Sequence, residues 1–293
     1  MKCKQCNEKA VFLNPKLCKK HFIEDFENRV KETIKEFNLV KKSDKIVVAC
    51  SGGKDSTTIL YLLKKFGANV EALSIDEGIV GYRNKTLKDL KGFCKEYKIK
   101  LKIYSFEDNI GKKLDNMIDK KSLPCTICGT FRRSLMNKYA KGYDKIATGH
   151  NMDDESQAVL MNLVNSNTDL LNHSVPITKK LKGFVQKIKP LYFIPEKEVA
   201  AYSLLKGFNV NFTECPYVNL SFRQGIRDKL NSYATRQMKT NILRKHLQVL
   251  SVLELNKQDY GKCSICGQPS KNKICRACEL AKNLNKTKGR TNQ

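Results

Sequence analysis

The twelve cysteines of the sequence fall into a pattern that suits metal binding and sulfur chemistry. Eight of them form four Cys-x-x-Cys pairs, a spacing that lets two thiolates bind one metal ion. The chain starts with polar residues and no apolar leader follows them, so we expect no secretory signal and a cytoplasmic location. Disulfides are rare in such a reducing compartment. The cysteines are therefore predicted to bind metals or to react.

Two sets of four metal-ligand residues lie near the two ends of the sequence. One combines three cysteines with a histidine and the other has four cysteines: Cys3, Cys6, Cys18 and His21, and Cys263, Cys266, Cys275 and Cys278. A closed set of four such ligands favours structural Zn²⁺ over catalytic Zn²⁺, and a rubredoxin-like iron site is the alternative. Each module is too short to form a core by itself, so metal binding and folding should be coupled. We expect two Zn²⁺ ions.

Three further cysteines have loop settings between these modules. Cys125 and Cys128 are expected on the connection between the third strand and the next helix, and Cys215 in a later loop. Three thiolates could bind three irons of a [4Fe-4S] cluster and leave the fourth iron open. Alternatively, a cysteine pair could carry persulfide sulfur and resolve it as a disulfide. A structural zinc is weaker because no fourth ligand lies nearby in sequence. Cys50 and Cys94 have no partner at ligand spacing and are predicted to be buried apolar thiols.

A glycine-rich loop lies between a predicted strand and a predicted helix. It reads Ser51-Gly52-Gly53-Lys54-Asp55-Ser56 and follows the apolar run 45–50. Glycines let main-chain N–H groups converge, and a helix N-terminus adds a favourable dipole, so this context predicts an anion site. The loop is not a Walker A motif, which separates its first glycine from its Gly-Lys pair by four residues. An ordinary strand-to-helix turn is the alternative.

Strand and helix patterns alternate in the first half of the chain. Strands are predicted at 45–50, 70–75, 101–105 and 145–148, and helices at 57–66, 82–97, 131–139 and 153–164. This alternation predicts an α/β fold, a doubly wound parallel sheet covered on both faces. From about residue 170 the strand signal fades, and 221–247 is predicted to be helix. We divide the chain into a zinc module (1–24), a catalytic domain (25–168), a helical basic region (169–256), and a second zinc module with a basic tail (257–293).

The charge of the chain points to a polyanion as its partner. The sequence has 55 Lys and Arg against 29 Asp and Glu, a net charge of +26. Such an excess favours nucleic acid, because each contacted phosphate releases counterions. No run is long and apolar enough to span a bilayer, so no membrane role is expected. The predicted helix 221–247 and the tail hold much of the charge, in Arg223, Arg227, Lys229, Arg236, Lys239, Arg244, Lys245, Lys282, Lys286, Lys288 and Arg290.

The string Ser-Gly-Gly-Lys-Asp-Ser resembles the signature of the PP-loop ATP pyrophosphatases, which have an adenine nucleotide alpha hydrolase-like fold. The resemblance implies that the loop binds ATP phosphates and that Asp55 helps hold Mg²⁺. It implies an adenine pocket at the end of the second strand, at Ser74, Ile75 and Asp76. The segment 147–154, Ala-Thr-Gly-His-Asn-Met-Asp-Asp, resembles the later nucleotide-contacting segment of that family.

Three residues of the segment 147–154 have alternative roles. By the resemblance, Asp154 is expected near ATP or its metal. Taken alone, His150 is more often a satisfied structural histidine than a catalytic one. Asp153 and Asp154 could equally form a helix N-cap with first-turn charge.

The loop, the internal cysteines and the terminal modules together resemble the tRNA 2-thiouridine synthetase group, which includes uridine-54 and wobble-uridine-34 thiolases. By that resemblance Cys125, Cys128 and Cys215 bind a [4Fe-4S] cluster, which we favour over direct persulfide chemistry. The implied nucleotide contacts are Ala49, Ser51, Gly52, Gly53, Lys54, Asp55, Ser56, Ile75, Arg132, Gly149 and Asp154. The implied catalytic residues are Asp55, Cys125, Cys128, Arg132, Asp154 and Cys215. Some relatives have lysine at the Arg132 position, so the role expected there is one of charge.

The resemblance implies ATP-dependent adenylation of the C2 oxygen of a tRNA uridine, followed by sulfur insertion through the cluster and departure of AMP. Wobble uridine 34 is favoured over uridine 54. One alternative is the cytidine-32 2-thiolation enzyme, whose group generally lacks the zinc modules. Another is a non-catalytic zinc-finger RNA-binding protein, for which the loop would be needless. The expected partners are tRNA, a sulfur donor (sulfide, persulfide or a protein thiocarboxylate) and a second copy in a homodimer.

Overall fold

The computed structural model describes residues 1–118, 123–218, 223–253 and 260–286. Its strands are β1 (Phe12–Leu13), β2 (Lys16–Leu17), β3 (Lys45–Ala49), β4 (Asn69–Asp76), β5 (Leu101–Ser105), β6 (Lys145–Thr148), β7 (Gln186–Ile188), β8 (Gly261–Lys262) and β9 (Pro269–Ser270). Its helices are α1 (Lys19–Glu36), α2 (Lys54–Lys65), α3 (Arg83–Glu96), α4 (Phe106–Ile110), α5 (Pro124–Tyr139), α6 (Met152–Val164), α7 (Thr168–Leu171), α8 (Glu196–Leu205), α9 (Arg223–Tyr233), α10 (Arg236–Val252) and α11 (Arg276–Lys286).

Five strands form a central sheet in which all neighbours are parallel. Their order is β5-β4-β3-β6-β7. The chain first builds outward from β3 through β4 to β5, and then returns to place β6 on the other side of β3. Ligands of open parallel sheets bind beyond the carboxyl ends of the strands at such a switch point. The loops after β3 and β6 therefore meet where a ligand is expected.

Alternate residues of the central strands face two separate hydrophobic cores, because successive side chains of a strand point to opposite faces. Ile46 and Val48 pack with side chains of α1, α2, α3 and α8. Val47 and Ala49 pack with side chains of α5 and α11. Helices thus cover both faces of the sheet, and the predicted doubly wound α/β fold is confirmed.

The predicted strands 101–105 and 145–148 match β5 and β6, but two helices start earlier than predicted. α2 begins at Lys54, directly after its N-cap Gly53, so the end of the glycine-rich loop forms the first helical turn. α5 begins at Pro124 rather than at residue 131. Proline suits the first position of a helix, where its missing N–H has no intrahelical partner.

The part of the chain beyond residue 170 contains elements that the sequence pattern did not predict. β7 adds a fifth strand beside β6, with Ile146 opposite Lys187. The predicted helix 221–247 is two helices, because Thr235 caps a new one and accepts the Met238 N–H at 3.2 Å. Residues 221 and 222 lie outside the described residues, as do residues 287–293 of the predicted basic tail. In the described part of the chain, no helix is both long and apolar enough to cross a membrane.

Both terminal modules pack against the main body. Phe26 of α1, which starts inside the first module, stacks on Tyr202 of α8 with ring centroids 4.3 Å apart. In the second module, Gln268 accepts a buried hydrogen bond of 3.0 Å from Asn137 of α5. Side chains of α11, including Leu280 and Leu284, join the core that contains α5. The second module therefore packs against α5 and stabilises it.

Candidate active site

The glycine-rich loop has the backbone that its sequence predicts. Gly52 has φ +85°, and a Cβ atom there would collide with the Thr86 carbonyl oxygen. The Ser56 hydroxyl donates to the Gly53 carbonyl at 3.1 Å and accepts from the Ser51 N–H at 3.2 Å. Because these bonds tie the first turn of α2 back to the loop, the geometry of the loop is fixed by the protein. It is built to present N–H groups at the start of a helix, which is the arrangement that binds phosphate.

Gly149, which follows β6, packs directly on this loop. A Cβ atom at residue 149 would lie 2.7 Å from both the Asp55 carbonyl carbon and the Ser56 nitrogen. Only glycine allows this approach. The family resemblance predicts Gly149 as a nucleotide contact, and the structure brings it against residues 51–56, the phosphate loop.

Lys54 lies between two carboxylates at the start of α2. Its Nζ is 3.0 Å from Asp55 Oδ2 and 2.9 Å from Glu196 Oε1. Burial works against the charged lysine, but Asp55 and Glu196 outweigh it and raise the pKa of Lys54 to about 12. Lys54 is therefore a fixed positive charge beside the loop, and it links α2 to the first residue of α8.

Asp55 and Asp154 face each other across Asn151. The Asn151 side-chain amide donates to Asp55 Oδ1 at 3.0 Å, and the Asn151 main-chain N–H donates to Asp154 Oδ2 at 3.2 Å. Burial and the nearby Asp154 charge raise the pKa of Asp55, although Lys54 opposes them. Two carboxylates beside a phosphate loop fit Mg²⁺, which takes one or two carboxylates and completes its shell with phosphate oxygens and water.

Asp153, by contrast, has a structural role. Its two oxygens accept from Lys239 Nζ at 2.6 Å and from the Glu196 N–H at 2.7 Å. It is buried and ties α6 to α10 and to the start of α8. The N-cap of α6 is Asn151, which forms a capping box with Asp154. His150 is half exposed, with its Nδ1 3.2 Å from Thr148 Oγ1.

The carboxyl ends of β3, β4 and β6 form the floor of the site. Ala49 pairs with Leu73 on one side and with Thr148 on the other. Ile75, near the end of β4, is buried. Ser74 is buried as well, and its hydroxyl accepts from Arg83 Nη2 at 2.7 Å. The Asp76 carboxylate accepts from the Gly78 N–H at 2.9 Å. Ala49 and Ile75 therefore lie at the edge of the sheet that leads to the loop.

The internal cysteines lie beside this edge, but not as predicted. Cys125 and Cys128 are in the first turns of α5, so their placement on a strand-to-helix connection was wrong. Residues three apart share one face of a helix, which brings the two thiols together. Cys215 lies in the segment before α9, and the Cys125 Sγ is 3.7 Å from the carbonyl oxygen of the nearby Tyr217. Burial, followed by smaller effects of Glu77, Cys215 and Cys125, raises the pKa of Cys128 to about 12, against the opposing charge of Arg132.

The spacing of these three thiols differs from that of a zinc site. A tetrahedral site with Zn–S bonds of about 2.3 Å places neighbouring sulfurs roughly 3.8 Å apart. Among the described residues, only the two terminal modules bring three or more ligand atoms within 4.8 Å of one another. Cys125, Cys128 and Cys215 do not form such a group, but Cys215 and Cys125 both act on the pKa of Cys128, so the three thiols lie in one neighbourhood. Three thiols are the donor set that a [4Fe-4S] cluster with one open iron requires.

Both terminal modules have the geometry of closed zinc sites. In the first, Cys6 and Cys18 sulfurs are 3.7 Å apart, and His21 Nδ1 is 3.4 Å from the Cys18 sulfur. In the second, the sulfurs of Cys266 and Cys275 are 3.6 Å apart. These distances match the edges of a tetrahedron around Zn²⁺.

In each module one thiol has a lowered pKa, which favours its thiolate form. Burial alone would raise the pKa of Cys3, but main-chain hydrogen bonds led by that of Gln5 lower it to about 6. Cys263 is similar, with a pKa lowered to about 6 by main-chain hydrogen bonds against the effect of burial. Thiolate is the form that binds metal, so both modules are suited to a cation.

Two charged residues that the sequence analysis missed connect the loop to the cysteines. Arg83 Nη1 donates to the Ser51 carbonyl, and Arg83 Nε is 2.8 Å from Glu77 Oε2. Glu77 Oε1 is 3.7 Å from Arg132 Nη1. Desolvation of the guanidinium would lower the pKa of Arg132, but Glu77, followed by Cys128 and Cys215, raises it. No spacing in the sequence signals these contacts, because a single Glu or Arg between a strand and a helix is ordinary.

Many basic side chains of α9 and α10 form ion pairs with carboxylates elsewhere in the protein. Five of the seven in α9 and α10 pair with carboxylates from other elements: Arg223 with Asp154, Arg227 with Glu214, Arg236 with Glu198, Lys239 with Asp153, and Arg244 with Glu36. Lys229 and Lys245 are exposed, and neither pairs with a carboxylate of the described residues. The basic pattern of this region is therefore largely a set of ties between helices.

Residues 23–233 match the family model described as the PP-loop domain. The chain belongs to the PP-loop family. Within it, the chain belongs to the tRNA 2-thiolation group, as three relatives show over nearly its whole length. The "tRNA-5-methyluridine(54) 2-sulfurtransferase" of Pyrococcus horikoshii is 37% identical over 290 residues, which cover 96% of this chain and 93% of the relative.

The other two relatives are similar over the same span. "Cytoplasmic tRNA 2-thiolation protein 1" of Drosophila melanogaster is 35% identical and covers 97% of this chain and 88% of its own. A solved structure, "U34-tRNA thiolase NcsA from Methanococcus maripaludis with its [4Fe-4S] cluster", is 33% identical with a TM-score of 0.82, over 97% of this chain and 96% of that one. The family resemblance predicted from the loop and the cysteines is confirmed.

Proposed function

We propose that this protein is an ATP-dependent tRNA-uridine 2-sulfurtransferase that thiolates wobble uridine 34. The observation that carries this proposal is the contact chain from Ser51 through Arg83 and Glu77 to Arg132, which joins the phosphate loop to the helix that holds Cys125 and Cys128. Nucleotide activation and sulfur chemistry thus share one site. A binding protein without catalytic activity would need neither half.

The residues of the loop divide the work of activation. The loop and the start of α2 bind the pyrophosphate part of ATP, with Lys54 as a fixed positive charge. Asp55 and Asp154, held by Asn151, would carry Mg²⁺. The uridine C2 oxygen attacks the α phosphate and pyrophosphate leaves. The uridine C2 oxygen, a poor leaving group, thereby becomes a good one.

The cysteine side of the site provides the replacement for oxygen. Cys125, Cys128 and Cys215 would hold a [4Fe-4S] cluster, and the cluster would present the sulfur that replaces the C2 oxygen. Arg132, whose Nη1 is 3.7 Å from Glu77 Oε1, would neutralise the negative charge of the phosphate as AMP departs. α5 carries two of the three thiols together with Arg132.

Two uridine positions remain supported by relatives. The Methanococcus structure, a U34-tRNA thiolase by name, is similar over 97% of this chain and supports the wobble position. The Pyrococcus relative, named for 5-methyluridine 54, has a comparable identity of 37% and supports position 54 as the second candidate. The name of the Drosophila relative also supports a cytoplasmic site of action. We further propose two structural Zn²⁺ ions, a small-molecule or protein sulfur donor, and a homodimer.

Mapping of thiolated nucleosides tests this function. Protein purified without oxygen is incubated with unmodified tRNA, MgATP and sulfide, and the tRNA is then digested and analysed by mass spectrometry. We expect 2-thiouridine at position 34. Asp55→Ala and Cys215→Ala should each reduce thiolation by at least about a thousandfold while changing tRNA affinity by less than about threefold. Cys94→Ala, which removes a buried thiol that belongs to none of the three ligand sets, should leave activity unchanged.

Three other results of this experiment would change or refute the proposal. Thiolation at position 54 alone would replace the first candidate by the second. Full activity of Asp55→Ala would refute the ATP-site assignment, and a colourless anaerobic preparation with full activity would refute the cluster.

A further inference from the structure

The Glu77 carboxylate binds two arginines at once. It lies directly after β4 and is only 6% exposed. One oxygen is 2.8 Å from Arg83 Nε, and the other is 3.7 Å from Arg132 Nη1. A buried carboxylate is costly unless it is paired, and here both of its oxygens face a positive charge. Glu77 is thus the junction of two side chains that come from different helices.

Arg83 occupies one side of this junction and is itself buried. Its Nη1 donates to the Ser51 carbonyl and to Thr86 Oγ1, the latter at 2.9 Å. Its Nη2 donates to the Ile75 carbonyl at 2.7 Å. Arg83 therefore fixes the start of the phosphate loop to the end of β4, and Glu77 is the carboxylate that stabilises its buried charge.

Arg132 occupies the other side and is half exposed. It follows Cys128 by four residues on α5, so its side chain and that thiol share one helix face. Glu77 is the one carboxylate within ion-pair distance of Arg132 among the residues the structure describes. The guanidinium is therefore paired with Glu77, and Cys128 and Cys215 are near enough to act on its charge.

We propose that Glu77 is a positioning residue of the sulfur-transfer reaction, which holds the Arg132 guanidinium between the phosphate loop and the three thiols. This inference rests on the proposed function. Held there, Arg132 meets the phosphate of AMP as sulfur replaces the oxygen. A freely moving arginine would spend little time in that position, so fixing it lowers the barrier for the step in which AMP leaves. ATP binding itself depends on the loop and should depend little on Glu77.

A purely structural role, in which Glu77 only neutralises Arg83, predicts a different result. It would make changes at Glu77 lower stability and ATP affinity, whether or not Arg132 is present. The positioning role makes the effect of Glu77 on kcat depend on Arg132. A double-mutant cycle separates the two, because it measures the dependence of one residue on the other.

The principal variant is Glu77→Asp, which keeps a buried carboxylate for Arg83 but is one methylene too short for Arg132. We expect it to fold with the thermal stability of the wild type and to lower kcat for tRNA thiolation about tenfold, with KM for ATP changed by less than about twofold. In an Arg132→Gln background the same Glu77→Asp change should alter kcat by less than about twofold. Glu77→Gln removes the negative charge that pairs with Arg83. The folded fraction of this variant should lose at least as much kcat as Glu77→Asp.

Two results would overturn the inference. One is an unchanged kcat in Glu77→Asp. The other is a tenfold loss of kcat on Glu77→Asp that is equally large in the Arg132→Gln background. Wild-type protein in the same assay keeps this test apart from the test of function: if it thiolates no tRNA uridine, the proposed function fails, whereas an active wild type with an unaffected Glu77→Asp removes only the role of Glu77.

Discussion

The side-chain amide of Asn151 donates a hydrogen bond of 3.0 Å to the Asp55 carboxylate, across the gap between the loops that follow β6 and β3. The same side chain accepts from the Asp153 and Asp154 N–H groups at 3.0 and 3.1 Å and so caps α6. One residue therefore fixes the start of α6 and the direction of a carboxylate in the first turn of α2. The two functions can be separated by substitution.

Asn151→Ser should keep the cap and lose the bond to Asp55. Serine caps helices about as well as asparagine, so we expect a melting temperature within about 2 °C of the wild type. KM for ATP should rise about tenfold, because Asp55 is no longer oriented. Asn151→Ala loses both functions and should also lose about 1 kcal/mol of stability. An unchanged KM in the serine variant would show that Asp55 does not depend on Asn151.

Gly149→Ala should abolish tight ATP binding. The new Cβ would lie 2.7 Å from the loop backbone at Asp55 and Ser56, so the loop must move. We expect ATP affinity, measured by calorimetry, to fall at least about thirtyfold while tRNA affinity stays within about twofold. Gly92→Ala is the matched control, because a Cβ at residue 92 of α3 meets no atom within 4 Å. It should leave ATP affinity intact and stabilise the helix by up to about 1 kcal/mol.

Lys239 and Lys229 should differ sharply although both belong to the basic region predicted from the sequence. Lys239 is buried against Asp153 at 2.6 Å, so Lys239→Met should cost roughly 3–5 kcal/mol by leaving Asp153 unpaired. Lys229 is exposed, and Lys229→Ala should leave the melting temperature unchanged. Its expected effect is on tRNA binding, with the salt dependence reduced by about one counterion if it contacts a phosphate. Equal melting temperatures for the two variants would contradict the assignment of Lys239 to the interior.

Each terminal module should contribute one zinc ion. Metal analysis of the purified chain is expected to give two zinc ions, one for each of the two four-ligand groups. Cys6→Ser and Cys266→Ser should each lose one of them and lower the melting temperature, because metal binding and folding of such modules are coupled. Cys94→Ala serves as the control and should retain both. A stable, zinc-free wild-type protein would rule out the structural role.

Local patterns carried most of what the sequence could predict. The run 45–50 and the glycines after it specify a buried strand, a tight turn and a helix start within a dozen residues, and all three are observed. The zinc-type spacings likewise place ligands within reach of one metal. Such features depend on neighbours in sequence, which is why they could be identified without a structure.

Features that depend on distant partners could not be predicted. β7 is only three residues long and reads Gln-Lys-Ile, so no alternation marks it, and it becomes a strand because β6 offers an unpaired edge. The charge of α9 and α10 suggested a surface for RNA, yet Arg223 and Lys239 are held by acidic residues of α6. Glu77 and Arg83 read as ordinary polar residues after a strand. Only the fold reveals that they are buried together.

The packing of α11 on α5 has a consequence for how the protein is made. α5 carries Cys125 and Cys128, and its far side is covered by a module that the ribosome synthesises much later. Chains fold from the N-terminus as they emerge, so the part of α5 that packs on α11 stays exposed until Cys275 and Cys278 have left the exit tunnel and their module has folded against it. The sulfur-handling half of the site therefore matures after translation is nearly complete, whereas the phosphate loop can form early. Biogenesis would thus proceed in a fixed order, with nucleotide binding acquired first and sulfur transfer last.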